Sequence, residues 1–212
     1  VISMSELSNI RVDDYNIQAD ISLNGNSDIG IVISHGANND MENIYVKNLF
    51  YRLKEHYNVI RFNFSFVDKP ENKNISINTN EIVACIGALN CKESILIGKS
   101  YGAKLSTHIA ENDRAVRGVI NLGYPLHKAD DLSELSNEIK ILRSVSDKAL
   151  FIIGSEDPLF DVRAFKRLVP QARIIEIEGG DHSFKGKTDE ESLSNLKRVI
   201  EAVTSKVDEL VR

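Results

Sequence analysis

Four nearly all-apolar runs of strand length, separated by longer amphipathic stretches, constrain this chain more than any other feature. Ile29–Ser34, Ile95–Gly98, Val116–Leu122 and Ala149–Ile153 have few polar positions. A strand reads this way when both of its faces are buried, as in a parallel sheet with helices on each side. Between the runs, Met41, Tyr45, Leu49 and Leu53 recur every four residues, and Leu105 and Ile109 do the same, which predicts helices. Further strands are expected over Val59–Phe64 and Arg173–Ile177, and further helices over Ile82–Leu89, Leu132–Val145 and Val162–Leu168. A last helix should place Leu193, Leu196, Ile200, Val203, Val207 and Leu210 on one face, explained more simply by core packing than by a dimer seam. Ile17–Leu23 alternates with period two and reads as a half-exposed strand, with Ile10 and Val12 on a hairpin partner. The Asn- and Lys-rich stretch Asp68–Asn80 is the best loop candidate. The expected architecture is α/β: one mostly parallel twisted sheet, helices on both faces, and a single domain over residues 1–212.

Composition narrows the function classes. The chain has 26 Lys and Arg against 31 Asp and Glu, a net charge of −5. A mildly acidic chain without a basic cluster is poorly suited to a phosphate backbone, so no nucleic acid is expected as a partner. Lys166-Arg167 and Lys197-Arg198 read as solvated helix faces. Cys85 and Cys91 have no metal-ligand spacing, so neither a zinc site nor a disulfide framework is expected, and a cytoplasmic setting fits. No apolar run approaches membrane-spanning length, and no basic-then-apolar leader opens the chain.

In open parallel sheets, ligands bind beyond the carboxyl ends of the strands, so the candidate residues are sought there. Ile95–Ile97 leads into Gly98-Lys99-Ser100-Tyr101-Gly102. This G-x-S-x-G spacing suits a nucleophilic serine on a tight strand-to-helix turn, where the flanking positions must be small. A serine hydroxyl needs a base, and the base an orienting acid. Leu150–Ile153 ends in Gly154-Ser155-Glu156-Asp157-Pro158, offering Asp157, with Glu156 as substitute. Asp157 could instead simply cap a helix. Arg173–Ile177 ends in Glu178-Gly179-Gly180-Asp181-His182. Of five histidines, His182 alone follows both the acid and a late strand. An oxyanion would need two N–H donors: Tyr101 after the serine, and Ala37, or failing it Asn38, in the loop after Ile29–Ser34. His35 reads as a brace for that loop or as a pocket residue. Lys99 and Arg61 would either attract an anion or be braced by carboxylates. Two readings stand for Leu122–His127: Tyr124 and His127 line the pocket, or Leu126 packs and His127 is solvated.

These blocks, with Arg61-Phe62-Asn63-Phe64, Leu122-Gly123-Tyr124-Pro125-Leu126-His127 and Gly179-Gly180-Asp181-His182-Ser183-Phe184, resemble the dienelactone-hydrolase-like α/β-hydrolases. The nearest resemblance is to the branch of the testis-expressed 30 type proteins and a subunit of a chromatin acetyltransferase complex. It implies Ser100 as nucleophile, Asp157 as acid, His182 as base and no large cap domain. Such a triad would cleave an ester-like bond through an acyl-enzyme, or pass the acyl group to another acceptor, with no metal or organic cofactor, and the short span from Leu122 to Ala149 suits a small substrate. Because some members of the branch serve as subunits, the resemblance also implies an alternative, a non-catalytic interaction module. A protein partner or a homo-oligomer stays open. The chain departs from the branch at Tyr101, where relatives often carry Met, and over Asp68–Asn80.

Overall fold

The computed structural model describes residues 7–23, 28–126 and 132–212. In chain order its elements are β1 (Leu7–Val12), β2 (Tyr15–Leu23), β3 (Ile29–Ser34), α1 (Ile44–Leu53), β4 (Asn58–Phe62), α2 (Ile75–Leu89), β5 (Glu93–Lys99), α3 (Tyr101–Asn112), β6 (Val116–Leu122), α4 (Leu132–Ser144), β7 (Ala149–Gly154), α5 (Val162–Leu168), β8 (Arg173–Ile177) and α6 (Asp189–Val211). The strands form one sheet in the order β1-β2-β4-β3-β5-β6-β7-β8. β1, β2 and β4 pair antiparallel; from β4 onward every pairing is parallel.

The apolar runs divide cleanly between two layers. Ile31 and Ile33 of β3, and Ile95 and Ile97 of β5, pack with Leu49, Phe50, Val199 and Val203 of α1 and α6. Val32 and Leu96, one residue out of step, pack with Ile82, Leu105 and Phe165 on the opposite face. Alternate side chains of a strand point to opposite faces, so a run must be apolar throughout to satisfy both layers. Among the described residues, no helix is long and apolar enough to cross a membrane.

Three expectations need correction. The proposed loop at 68–80 contains the start of α2, at Ile75. Asn74 accepts hydrogen bonds from the N–H groups of Ser76 and Ile77, an N-cap that begins a helix within an Asn-rich stretch. The helix turns Asn78 and Glu81 inward, so its buried face is partly polar and hides from an apolar-period search. The strand expected over Val59–Phe64 stops at Phe62. On α6 the buried line runs through Asn195, Val199, Val203 and Val207, while Leu193 is 53% exposed. The expected stripe is therefore displaced sideways: Leu196 and Ile200 are only partly buried, on the flank.

A buried ion pair ties the antiparallel end of the sheet to the parallel part. Asp20 and Arg61 stand opposite each other in the β2–β4 ladder. The guanidinium donates from Nε to Asp20 Oδ2 at 2.7 Å and from Nη1 to the Met41 carbonyl at 2.8 Å, and it reaches Glu42 Oε1 at 2.9 Å. Arg61 is thus braced by carboxylates. Asp20→Ala removes its buried partner and should cost about 3 kcal/mol in urea denaturation, because a desolvated charge is left incompletely paired. A loss under about 0.5 kcal/mol would mean Glu42 and Met41 suffice alone.

Candidate active site

Ser100 stands between β5 and α3 at φ 51° and ψ −111°, a strained conformation for a residue with a side chain. A side chain at Gly98 would overlap the Ala103 backbone, and one at Gly102 would come within 2.7 Å of the His35 carbonyl. Both flanking glycines are therefore required by close approach. The Ser100 N–H donates to the Leu122 carbonyl at 2.8 Å, which fixes the turn against the end of β6.

The structure brings together three side chains from loops far apart in sequence. His182 Nε2 lies 2.9 Å from Ser100 Oγ, and His182 Nδ1 lies 2.8 Å from Asp157 Oδ2. Asp157 Oδ1 accepts the Leu159 N–H at 2.8 Å, and its carboxylate is fully shielded from solvent. A carboxylate only accepts, so Nδ1 carries the imidazole proton and Nε2 is free to accept from the serine hydroxyl. The helix cap after β7 is Asp161, not Asp157. Glu156 is exposed.

The loop after β3 reaches the serine. A Cβ on Gly36 would touch Ser100 Cβ at 3.4 Å. Ala37 follows and is partly buried; Asn38 is exposed. Tyr101 opens α3, so its N–H lacks an intrahelical acceptor. Its side chain turns away from the serine: the hydroxyl donates to Asn78 Oδ1 at 3.0 Å, and the ring packs edge-on against Phe64 and Phe66.

His35 is no pocket residue. It is fully buried, its Nε2 accepts the Phe64 N–H at 3.1 Å, and its Nδ1 then carries the proton toward the Gly36 carbonyl at 2.8 Å. Burial pushes its pKa down to about 4, so the ring is a neutral brace between the segment after β4 and the β3 loop. Tyr124 is likewise not a pocket residue: it is fully buried against Phe151, and its hydroxyl donates to the Glu138 carboxylate. His127 lies outside the described residues.

Lys99 is almost fully buried, and no carboxylate lies within ion-pairing reach among the described residues. Its Nζ donates to the His182 carbonyl at 2.8 Å and lies 5.6 Å from the Phe184 ring centroid. Gly123 was missed in the sequence. Its φ is +60°, and a side chain there would crowd both the His182 carbonyl, at 2.9 Å, and Lys99 Nζ, at 3.0 Å. Its only sequence signal is a glycine directly after a buried strand. No group of three or more His, Cys, Asp or Glu side chains among the described residues could hold a metal ion.

Residues 27–211 match the family described as Alpha/beta hydrolase domain. Solved structures of similar shape include Est1E from Butyrivibrio proteoclasticus, described with bound ferulic acid, at 14% identity, 96% and 99% coverage of this chain and that one, and TM-score 0.76. An alpha-beta serine hydrolase homologue from Coxiella burnetii matches at 18% identity, 95% and 97% coverage and TM-score 0.74. Dienelactone hydrolase from Anabaena variabilis matches at 13% identity, 99% coverage of both chains and TM-score 0.76.

Burial pushes the Lys99 ammonium from 10.5 down to about 8, opposed by the Asp157 and Asp181 carboxylates. Between those values the unfolded chain binds a proton that the folded protein lacks, so stability rises with pH across the window. Below it the folded protein holds a poorly solvated charge. Lys99→Met should therefore be more stable than wild type at pH 7, by about 2 kcal/mol after the lost hydrogen bond is counted. In urea denaturation the difference should shrink as pH rises from 8 toward 10.5.

Proposed function

The chain belongs to the alpha/beta hydrolase domain family, and on that premise we propose that it is a serine hydrolase cleaving an ester-like bond of a small substrate. The observation carrying this reading is the continuous contact from Ser100 Oγ through His182 to Asp157, at 2.9 and 2.8 Å. Ser100 Oγ attacks the carbonyl carbon as its proton passes to His182 Nε2. Asp157 keeps the ring oriented and stabilises the imidazolium. The N–H groups of Tyr101 and Ala37 hold the oxyanion. The C–O or C–S bond breaks, Nε2 protonates the leaving group, and an acyl-Ser100 ester remains. Water, deprotonated by the same nitrogen, then releases a carboxylic acid and restores the serine.

Two finer placements belong to the same proposal. The blocks at Leu122–His127 and Gly179–Phe184 favour the branch of the testis-expressed 30 type proteins. Cys85 and Cys91, the two cysteines of the chain, have neither metal-ligand spacing nor the pattern of a disulfide framework, which favours a reducing, cytoplasmic setting.

A fluorophosphonate probe should label the folded wild type at Ser100, and Ser100→Ala should abolish labelling. Asp157→Asn should reduce hydrolysis of p-nitrophenyl acetate about ten-thousand-fold by forcing the wrong imidazole tautomer. A folded wild type that takes up no probe and hydrolyses no short-chain ester would overturn the proposal. It would favour an interaction module on the same scaffold.

A further inference from the structure

Behind the His182 loop lies a cavity of about 400 Å³, walled by the start of α1, the loop before α6 and the first two turns of α6. Its lining includes Lys99 and Ser183, the immediate neighbours of Ser100 and His182, but neither Ser100 nor His182 themselves. Ile44, Tyr45, Leu193 and Leu196 give it apolar walls, and Leu193 and Ile44 are more than half exposed at 53% and 54%. Lys99 stands at its buried wall and Lys185 at its exposed rim.

Lys99 is the buried charge of this lining, which also carries Asn39, Asn43, Ser183 and Ser192. An ammonium has three donors, and among the described residues its one hydrogen-bond acceptor is the His182 carbonyl. A buried charge in such surroundings is costly unless something completes its coordination. Among the described residues the charged lining is two ammonium groups, Lys99 and Lys185, against one carboxylate, Asp189, while the Asp157 and Asp181 carboxylates act on Lys99 from outside it. A single negative charge balances it; a doubly charged phosphate would overshoot. The apolar walls ask for a hydrocarbon chain beside that charge.

We propose that this cavity binds a small monocarboxylate with an aliphatic chain, its carboxylate on Lys99 and its chain against Leu193 and Leu196. The site is separate from the triad and does not depend on the hydrolase reading. A ligand there meets the same ammonium that holds the His182 carbonyl.

Isothermal titration calorimetry at pH 7 with sodium hexanoate tests the site, with hexanol and inorganic phosphate as comparisons. Hexanoate should bind the wild type with a Kd on the order of 1 mM, as suits so small a ligand. Hexanol and phosphate should each bind at least about tenfold more weakly, and Lys99→Met should weaken hexanoate by about tenfold or more. Leu193→Glu alters a half-exposed position, so the fold should survive while the added carboxylate repels the ligand by a similar factor. Ser100→Ala should bind hexanoate as the wild type does. The proposal is overturned if wild type gives no binding heat at about 10 mM hexanoate, or if folded Lys99→Met or Leu193→Glu keeps wild-type affinity. It is also overturned if hexanol or phosphate equals hexanoate, or if Ser100→Ala loses binding, which would place the ligand at the triad.

Discussion

Ser100 can hold its strained backbone only because no side chain grows from Gly98 or Gly102. At φ 51° it occupies a region that residues with a Cβ avoid, an expense of about 1–3 kcal/mol that the surroundings must offset. They do so by packing. The elbow joins β5 to α3 at the centre of the sheet, where Ile97 and Leu122 are buried on one side and Ala103 and Leu105 on the other. Gly102 lets α3 come close to the end of β3, at Ser34 and His35. The Ser100 N–H is taken by Leu122 of β6. One missing pair of side chains therefore sets the mutual position of three strand ends. The loop that carries Ala37 is placed by the same contact that places the serine.

The imidazole is held by a second set of close approaches. A Cβ on Gly154, at the end of β7, would overlap the Gly180 and Asp181 carbonyls. That closeness allows the Glu156 N–H to donate to the Gly180 carbonyl at 2.9 Å. The acid-bearing and base-bearing loops are thus stitched backbone to backbone before their side chains meet. Asp181 Oδ1 then accepts the N–H groups of Ser183 and Lys185, at 2.7 and 2.9 Å, curling the chain into a tight turn. Phe184 closes it with a positive φ of 59° and a fully buried ring. Asn195 of α6 donates to the Phe184 carbonyl at 3.0 Å. The position of His182 is consequently fixed from β7, from α6 and, through Lys99, from β5.

These two sets of contacts were not equally legible in the sequence. The central strands were readable because parallel strands must be apolar on both faces, and Ile29–Ser34 and Val116–Leu122 agree with the structure residue for residue. The elbow was readable because its glycines have fixed spacing. The alternatives left open for His35 and Tyr124 were not resolvable, since a histidine or tyrosine at a strand end reads the same whether it faces a pocket or a partner. What decides them is Phe64 N–H for one and Glu138 for the other, each distant in sequence. The start of α2 was hidden for a related reason. Its inward residues Asn78 and Glu81 are polar and satisfied by partners that sequence does not announce.

Those partners reveal an asymmetry between the two layers flanking the sheet. On the α2 side, buried Glu81 receives Tyr15 hydroxyl, Ser65 N–H and Asn78 amide donors at 2.7, 3.2 and 3.1 Å. Burial and this carboxylate push the Tyr15 hydroxyl well above its ordinary value, keeping it protonated as a donor. Asn78 in turn accepts from Tyr101, so the residue after the nucleophile is anchored to a carboxylate whose needs are met. Glu138 plays the same part nearby, taking Tyr124 and His108. Oriented hydrogen bonds fix geometry more narrowly than apolar contact does, and here they hold the Tyr101 ring against Phe64 and Phe66. On the opposite face buried Arg61 is met by Asp20 and buried Lys206 by Glu209, whereas buried Lys99 has one protein acceptor among the described residues. The elbow is thus clamped rigidly from the α2 side and left with unspent donors on the α6 side. That difference is why the proposed carboxylate site lies on the Lys99 side of the elbow.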